Sequence, residues 1–297
     1  MPEQLHTRET LRARRKLSRK RSVYVRRRAI AGAVLLLLLA GVSLGFAHGG
    51  GHTRQLPDSL LLASPTVFPH RTPAPAPAPP NLPYVAIAGP QGREVALTFD
   101  DGPGPYTPSI VHALRRAHAP ATFFQVGFTE HYFTQGLRDE LADPNLFVIG
   151  DHSWNHPRLD KLSATDQAEQ IDQQSLLLTT SGAPAPRYFR PPYGAFDETT
   201  LKLLEQRQMQ MIMWSVDSED YRRPGVPAIV ANVMNEVKPG AIILMHDAGG
   251  DRTQTLAAIP LVVAALRAKH YTLVTIPQLL HDAPPPAKQP PIAIGAG

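Results

Sequence analysis

Two adjacent carboxylates directly follow a short apolar segment and are the first candidates in this chain for metal or acid–base chemistry. Residues 95–99 are apolar or β-branched, which predicts a buried strand, and Asp100 and Asp101 come next, before Gly102. Successive side chains of a strand point to opposite faces, so one carboxylate can bind a cation while the other faces water. Because Asp before Gly is also ordinary turn chemistry, this interpretation depends on further polar clusters.

A pair of histidines forms the second cluster. His152 and His156 follow the apolar segment 146–149, and residues four apart lie on one face of a helical turn. Two imidazoles and one carboxylate give zinc three protein ligands and leave a fourth position for water. The spacing alone also fits a surface pair or a satisfied core group, and the aspartate pair favours a metal site. Five other histidines lack such spacing and are interpreted as structural or solvent-exposed: His112, His118, His131, His270 and His281.

Three more polar clusters follow apolar segments. Arg190 precedes two prolines that fix the backbone, so its guanidinium can hold a carboxylate in one orientation by paired hydrogen bonds. Several carboxylates stand in the run 217–221, after a predicted strand. His246 ends the apolar segment 242–245, where a carboxylate partner would keep its imidazole charged as a general acid. Each cluster alone also fits a turn, a solvated loop or a core histidine, and together they favour one site.

Strands and helices must alternate to position these clusters. Short apolar segments predict seven strands, with helical periodicity between most of them, at residues 95–99, 121–126, 146–149, 188–189, 211–216, 242–245 and 273–275. Such alternation predicts an α/β fold with a parallel sheet and right-handed crossovers. The strand count favours a closed or nearly closed β/α barrel over an open sheet. Chemistry in such barrels is found at the carboxyl ends of the strands, where the polar clusters stand.

Composition limits the classes of function. The 297 residues include no cysteine, which excludes disulfides, thiolate metal sites and thiol nucleophiles. The formal net charge of +5 comes from residues 1–28, which hold eleven Lys or Arg and two Glu, whereas the remainder is slightly acidic. A surface for nucleic acid is expected on a folded domain, so no nucleic-acid partner is predicted. No protein partner is indicated, and a DNA-associated membrane protein is the alternative for the basic tail.

An uncharged apolar segment follows the basic tail. Residues 29–47 are long enough for a helix to cross a bilayer at about 1.5 Å per residue. The arginines that precede this segment place residues 1–28 in the cytoplasm and the body of the chain outside, by the positive-inside rule. A signal peptide cleaved after Ala47 is the competing interpretation. We therefore expect a single-pass membrane protein with an extracytoplasmic body, or a secreted one after cleavage.

Proline-rich segments bound the predicted folded domain. Residues 48–90 form a predicted Pro/Ala-rich linker, in which the alternating run 73–80 is a semi-rigid extended spacer. Residues 91–281 form the predicted domain, which is long enough for one core. Residues 282–297 are predicted to be a disordered proline-rich tail.

The five clusters resemble, in order, the five motifs of the polysaccharide deacetylase family, also called NodB-homology domains or family 4 carbohydrate esterases. The motifs here are Thr-Phe-Asp-Asp-Gly-Pro at 98–103, His-x-x-x-His at 152–156, Arg-Pro-Pro-Tyr-Gly at 190–194, the run 217–221 and Leu-Met-His at 244–246. The resemblance covers roughly residues 92–281. It implies a distorted (β/α)7 barrel, here after a transmembrane helix and linker, that binds one divalent ion. Zinc is expected, with cobalt and nickel as alternatives.

The resemblance implies roles for the first three motifs. Asp101, His152 and His156 match the metal ligands of the family. Asp100 matches the general base that takes a proton from the attacking water. Arg190 matches the residue that orients this base.

The last motifs match the acid and the substrate pocket. His246 resembles the general acid that protonates the leaving amine, with Asp220 as its carboxylate partner. The backbone N–H of Tyr193 resembles the donor to the oxyanion. Tyr221 and Leu244 match positions that contact the substrate.

Three positions depart from the family pattern or leave a choice open. Tyr221 stands where a tryptophan is common, and its smaller ring with a polar tip could reshape the pocket for the acetyl methyl group. Asp217 is an alternative to Asp220 as the partner of His246. Asp151 precedes the histidine motif where a neutral residue is common, and its carboxylate could tune the metal or its histidine ligands.

The function that follows is metal-dependent N-deacetylation of an extracytoplasmic N-acetylhexosamine polymer. A tether with a stiff spacer suits a wall-bound substrate, so peptidoglycan is expected first and chitin-like polymers second. O-deacetylation of another polysaccharide, such as acetylxylan, is an alternative within the same class. A non-catalytic, metal-containing glycan-binding module is the alternative from another class, although Asp100 and His246 are both present.

Overall fold

The computed structural model describes residues 82–291. The basic tail, the predicted membrane span 29–47 and nearly all of the predicted linker lie outside the described residues. Within residues 82–291, no helix combines the length and the apolar composition needed to cross a bilayer.

Parallel strands form a curled sheet that carries the polar clusters. Within the described range, the strands are β1 (Glu94–Asp100), β2 (Ala121–Gln125), β3 (Phe147–Asp151), β4 (Tyr188–Phe189), β5 (Gln210–Met211), β6 (Val216–Asp217), β7 (Ile242–His246) and β8 (Thr272–Leu273). Their order is β5-β4-β3-β2-β1-β7-β6, and β8 pairs with β1. All strand pairs are parallel, which gives a curled half-barrel consistent with the predicted (β/α)7 barrel.

Helices connect most of the strands, as the periodicity predicts. In residues 82–291 they are α1 (Thr107–Arg116), α2 (Gly127–Glu130), α3 (Thr134–Leu141), α4 (Ala164–Thr180), α5 (Glu198–Gln206), α6 (Val226–Glu236), α7 (Thr253–Ala268) and α8 (Ile276–Asp282). The buried face of α1 carries Ile110, Val111 and Leu114 into the main apolar core. This spacing is that of one helix face, so burial of the face fixes α1 against the sheet.

Aromatic side chains fill the core beneath the carboxyl ends of the central strands. Phe99 of β1 and Phe123 of β2 are paired in register, and their rings stack at 5.3 Å. Phe147 of β3 meets Phe123 edge to face at 5.6 Å. All three rings are buried, and such pairs are more favourable than their buried area alone suggests. The strands β1 and β3, which lead into the first two motifs, therefore pack on one apolar layer of aromatic rings.

Parallel register brings the polar clusters to one edge of the sheet. Asp100 at the end of β1 is paired with His246 at the end of β7. On the other side of β1, the end of β2 is paired with Asp151, which directly precedes the histidine motif. Because all these strands run the same way, their carboxyl ends meet at this edge.

The strand predicted over 211–216 is divided into β5 and β6. Between them, the carbonyls of Ile212 and Met213 accept hydrogen bonds from Arg190 Nε and Nη2, each at 3.1 Å. The N–H of Met213 donates to the carbonyl of Val85 at 2.7 Å. A buried guanidinium and the preceding segment of the chain thus take the hydrogen bonds that a continuous strand would make.

The packed region extends past both ends of the predicted range 91–281. Val85 and Ala86 are completely buried. At the other end, Gln289 Oε1 accepts hydrogen bonds from the backbone N–H groups of Ala86 at 2.8 Å and Ile87 at 3.0 Å. Proline-rich composition predicts an extended backbone, and here one glutamine docks that extended backbone on the domain.

We predict that Gln289→Ala lowers the free energy of unfolding by about 1–2 kcal/mol, because two partly buried N–H groups lose their acceptor. Urea denaturation of this variant and the parent chain measures the difference. Lys288→Ala is the matched control, because Lys288 is exposed and should change stability by less than about 0.5 kcal/mol. Equal stability of Gln289→Ala and the parent would contradict the docking role.

Candidate active site and metal centre

Three metal-ligating side chains meet at the carboxyl edge of the sheet. Asp101 follows β1 and His152 follows β3, while His156 stands in the loop after His152. Asp101 Oδ1 lies 3.1 Å from His156 Nε2 and 3.8 Å from His152 Nε2. One ligand atom from each residue lies within 4.8 Å of the other two. Asp101 and His156 have left-handed backbone, with φ of 75° and 61°.

This donor set fits a divalent cation of the zinc type. His152 Nδ1 lies 2.6 Å from the carbonyl oxygen of Arg190, which only accepts, so Nδ1 carries the proton and Nε2 keeps a free lone pair. Two ligands about 2.1 Å from one tetrahedral zinc lie roughly 3.4 Å apart, close to the separations of these atoms. Cobalt and nickel accept the same imidazole and carboxylate donors.

The electrostatics give two of the donors the protonation states that metal binding requires. Burial raises the pKa of Asp101, but the hydrogen bond with His156 and the charges of nearby histidines hold it below its ordinary value. Burial lowers the pKa of His152 to about 4, against the opposing charge of Asp100. At neutral pH Asp101 is therefore an anion and His152 a neutral imidazole, and neither must lose a proton to bind a cation.

Asp100 is fixed beside these donors by a buried arginine. Arg190 is completely buried, and its Nη1 donates to Asp100 Oδ1 at 2.7 Å and to Thr98 Oγ1 at 2.8 Å. Its guanidinium also lies over the ring of Phe124 at 4.2 Å. The other carboxylate oxygen, Oδ2, lies 3.8 Å from His152 Nε2. One oxygen of Asp100 is thus held by Arg190, and the other lies close to the donor set.

His246 is paired with a buried carboxylate. Its Nδ1 lies 2.7 Å from Asp220 Oδ1, and its backbone N–H donates to Asp220 Oδ2 at 2.9 Å. Thr255 donates a third hydrogen bond to Asp220. Asp217, the other candidate partner, instead accepts from the backbone N–H of Glu219 at 2.8 Å. The contacts therefore assign the partner of His246 to Asp220.

The pair stabilises the charged form of the imidazole. Burial alone lowers the pKa of His246, but the charge and hydrogen bond of Asp220, with the charges of Asp101 and Asp100, raise it to about 9. Burial raises the pKa of Asp220, and the interactions with His246 and Thr255 lower it overall. These interactions favour the imidazolium form of His246 at neutral pH.

A cleft brings the predicted residues together with two that sequence reasoning did not assign. It is lined by Asp100, Asp101, His152, His156, Pro191, Tyr193, Trp214, Leu244 and His246. Pro191 and Trp214 are the additions. The signal for Trp214 was its place in the predicted strand 211–216, shortly before the acidic run 217–221, and the structure places it between β5 and β6. Tyr221 is outside this lining and meets the ring of His246 edge to face at 5.4 Å.

The carboxyl group of Asp151 is hydrogen-bonded to the histidine loop, residues 152–156. It is completely buried and accepts hydrogen bonds from the backbone N–H of Ser153 at 2.8 Å and from Ser175 Oγ at 2.7 Å. Burial raises its pKa to about 8 despite these hydrogen bonds. The contacts tie the loop that follows His152 to α4, so this carboxyl orients the loop.

We predict that Asp220→Asn lowers the pKa of His246 by about 1–3 units, because the neutral amide no longer stabilises the imidazolium. An NMR titration of the His246 ring protons in the metal-free protein measures this shift. Asp217→Asn is the matched control and should leave the titration nearly unchanged. If the two variants shifted the midpoint equally, the pairing of His246 with Asp220 would not set its charge.

Comparisons with known proteins agree with this geometry. The family model described as polysaccharide deacetylase matches residues 88–212. A peptidoglycan-N-acetylglucosamine deacetylase of Bacillus cereus is 34% identical over 205 residues, which are 66% of this chain and 93% of the relative. A chitooligosaccharide deacetylase of Azorhizobium caulinodans is 34% identical over 197 residues, 62% of this chain and 92% of the relative.

Solved structures share the fold of this chain. The crystal structure of a peptidoglycan N-acetylglucosamine deacetylase in complex with 4-naphthalen-1-yl-N-oxidanyl-benzamide matches with a TM-score of 0.65 and 30% identity. The match covers 69% of this chain and 96% of that one. The chain therefore belongs to the polysaccharide deacetylase family, the family 4 carbohydrate esterases, a hydrolase family.

Proposed function

We propose that this protein is a metal-dependent hydrolase that removes N-acetyl groups from an N-acetylhexosamine polymer outside the cytoplasm. Peptidoglycan is the substrate that we favour. The observation that carries the proposal is the cleft itself. It is lined by a three-donor cation site, by the carboxylate of Asp100 and by the imidazolium of His246. A base and an acid beside one cation site are what hydrolysis of an amide requires.

Asp100 acts as the general base. Its Oδ1 is occupied by Arg190 at 2.7 Å, so Oδ2 is the oxygen free to accept a proton from water. Arg190 cannot rotate away, because its other nitrogens donate to the carbonyls of Ile212 and Met213. The base is therefore oriented before substrate arrives, which is how a positioned group lowers a barrier.

His246 acts as the general acid. Its Nδ1 is bonded to Asp220, so Nε2 holds the proton that can be delivered to the leaving nitrogen. Water adds to the acetamide carbonyl carbon, the C–N bond then breaks, and the proton of His246 goes to the nitrogen. Acetate and a free amine are the products.

The remaining cleft residues bind the acetamide. When bound by Asp101, His152 and His156, a divalent cation supplies Lewis-acid polarisation of the carbonyl and makes water more acidic. The backbone N–H of Tyr193 is the proposed donor to the oxyanion. Leu244 supplies an apolar wall for the acetyl methyl group, and Tyr221 acts from outside the cleft lining by packing on His246.

N-deacetylation is favoured over O-deacetylation because relatives are named as peptidoglycan-N-acetylglucosamine and chitooligosaccharide deacetylases. An amide nitrogen leaves only when it is protonated, whereas the oxygen of an acetate ester leaves more readily. His246 Nε2 supplies the proton that the amide nitrogen needs. Among substrates we favour peptidoglycan, because relatives are named as peptidoglycan deacetylases. Chitooligosaccharides are the second candidate, because other relatives are named for them.

We predict that the zinc-loaded full chain, in detergent, releases acetate from peptidoglycan. A chelator removes this activity and added zinc restores it. Asp100→Asn lowers the rate by about 10²–10⁴-fold while the bound zinc stays near one ion per chain. Acetate is quantified with peptidoglycan, chitooligosaccharides and acetylxylan as substrates.

Asp166→Asn, on the exposed first turn of α4, is the matched control and should keep the rate of the parent. Zinc binding without acetate release from any substrate would support a non-catalytic glycan-binding module. Full activity of Asp100→Asn would overturn the assignment of the base, and release from acetylxylan alone would overturn the substrate.

Residues 29–47 are proposed to anchor the protein, with residues 1–28 in the cytoplasm and the hydrolase domain outside. The support is the arginine-flanked apolar segment. We predict that the full chain, expressed in a bacterium, sediments with membranes and that its domain is cut by protease added outside the cytoplasmic membrane. A domain protected from that protease would contradict this orientation, and a chain shortened at Ala47 would indicate a cleaved signal peptide.

A further inference from the structure

Two exposed aromatic rings, one on the short helix α2 and one just after it, have no role in the function proposed above. Phe128 and Tyr132 are 49% and 69% exposed. Their ring centroids lie 5.4 Å apart, with the planes inclined by 60°. Exposed aromatic pairs of this kind mark binding surfaces, whereas single exposed apolar residues are common and need no explanation.

Both loops that carry metal ligands hold the short helix α2 on which Phe128 stands. The N–H of Phe128 donates to the carbonyl of Trp154, within the histidine loop, at 2.7 Å. On the other side, Thr129 Oγ1 donates to the carbonyl of Gly102, the residue after Asp101, at 3.1 Å. The helix that carries Phe128 is therefore hydrogen-bonded to both loops of the proposed cation site, and Tyr132 follows it closely, with its N–H donating to the carbonyl of Thr129 at 3.0 Å.

The surroundings of the rings favour a sugar over a protein or a membrane. The exposed residues next to the rings in sequence, His131, Thr134 and Gln135, are polar. Thr134 Oγ1 accepts a hydrogen bond from Arg138 and Gln135 Nε2 donates one to Asp139, and each side chain keeps a further donor or acceptor for a hydroxyl group. Two side chains alone cannot bury the roughly 1,000 Å² that a stable contact between two copies requires. A pyranose is of the right size, because one face of its ring presents C–H groups and its rim presents hydroxyls.

We propose that Phe128 and Tyr132 bind a sugar unit of the polymer, displaced along the chain from the unit that is deacetylated. This inference rests on the proposed function, since it takes an N-acetylhexosamine polymer as the ligand. The rings pack on the C–H face of that unit, and the polar rim binds its hydroxyl groups. Short oligosaccharides that fill only the cleft do not reach these rings, so the enzyme prefers longer chains.

The test compares ligands of two lengths, N-acetylchitohexaose and N-acetylchitobiose, by calorimetry. The zinc-loaded full chain carries Asp100→Asn, so the ligand is not consumed. Adding Phe128→Ala and Tyr132→Ala is expected to weaken hexaose binding by about tenfold. Biose binding is expected to stay within about twofold, because the cleft is unchanged.

Two matched variants control for the loss of exposed apolar area and for the tyrosine hydroxyl. Leu176→Ala with Leu261→Ala removes side chains that are 65% and 52% exposed elsewhere, and hexaose binding should be unchanged. Tyr132→Phe keeps the ring and should bind hexaose like the parent. Thermal unfolding of the double aromatic variant checks that it is folded.

The outcomes separate this inference from the proposed function. Hexaose binding that is unmeasurable, or unaffected by loss of both rings, overturns the inference, as does an equal loss for hexaose and biose. Loss of a dimer in sedimentation on removal of the rings, without a change in hexaose binding, would assign the surface to a second copy. Acetate release by the chain with Asp100 intact tests the proposed function independently, because hexaose can bind at the rings whether or not it is hydrolysed.

Discussion

A single buried guanidinium connects the parts of this site. Arg190 is completely enclosed, and burying a charge is costly unless it is paired and fully hydrogen-bonded. It meets that demand through Asp100, Thr98 and two backbone carbonyls, while its own carbonyl oxygen fixes the ring of His152. Its contacts therefore join β1, the histidine loop and the segment between β5 and β6, and the position of each depends on the others.

Asp220 is a second buried charge of the site, and it too is stabilised by hydrogen bonds. Asp220 is almost completely buried and accepts hydrogen bonds from His246 and Thr255. A carboxylate in such a position stabilises an adjacent cation more strongly than it could in water. The site therefore contains two buried ion pairs, Arg190 with Asp100 and Asp220 with His246, which hold the proposed base and the proposed acid.

Much of this arrangement could be predicted from sequence, because a parallel sheet brings strand ends together. Residue type and position at the end of apolar segments identified Asp100, the histidine pair and His246. The placement of Trp214 could not be predicted, since it depends on a strand that divides where Arg190 captures two carbonyls. Docking of Gln289 on the N-terminal segment also escaped prediction, because that contact joins residues about two hundred positions apart and leaves no local pattern.

Asp101 and His156 have left-handed backbone, which lowers folding stability at two positions that the proposed function requires. Such a conformation costs roughly 1 kcal/mol or more in any residue with a Cβ, and glycine would remove that cost. Glycine would also delete a proposed metal ligand, so the proposed function requires a residue with a side chain at each position. A homologue without the proposed metal site could carry glycine at both positions and keep the same turns.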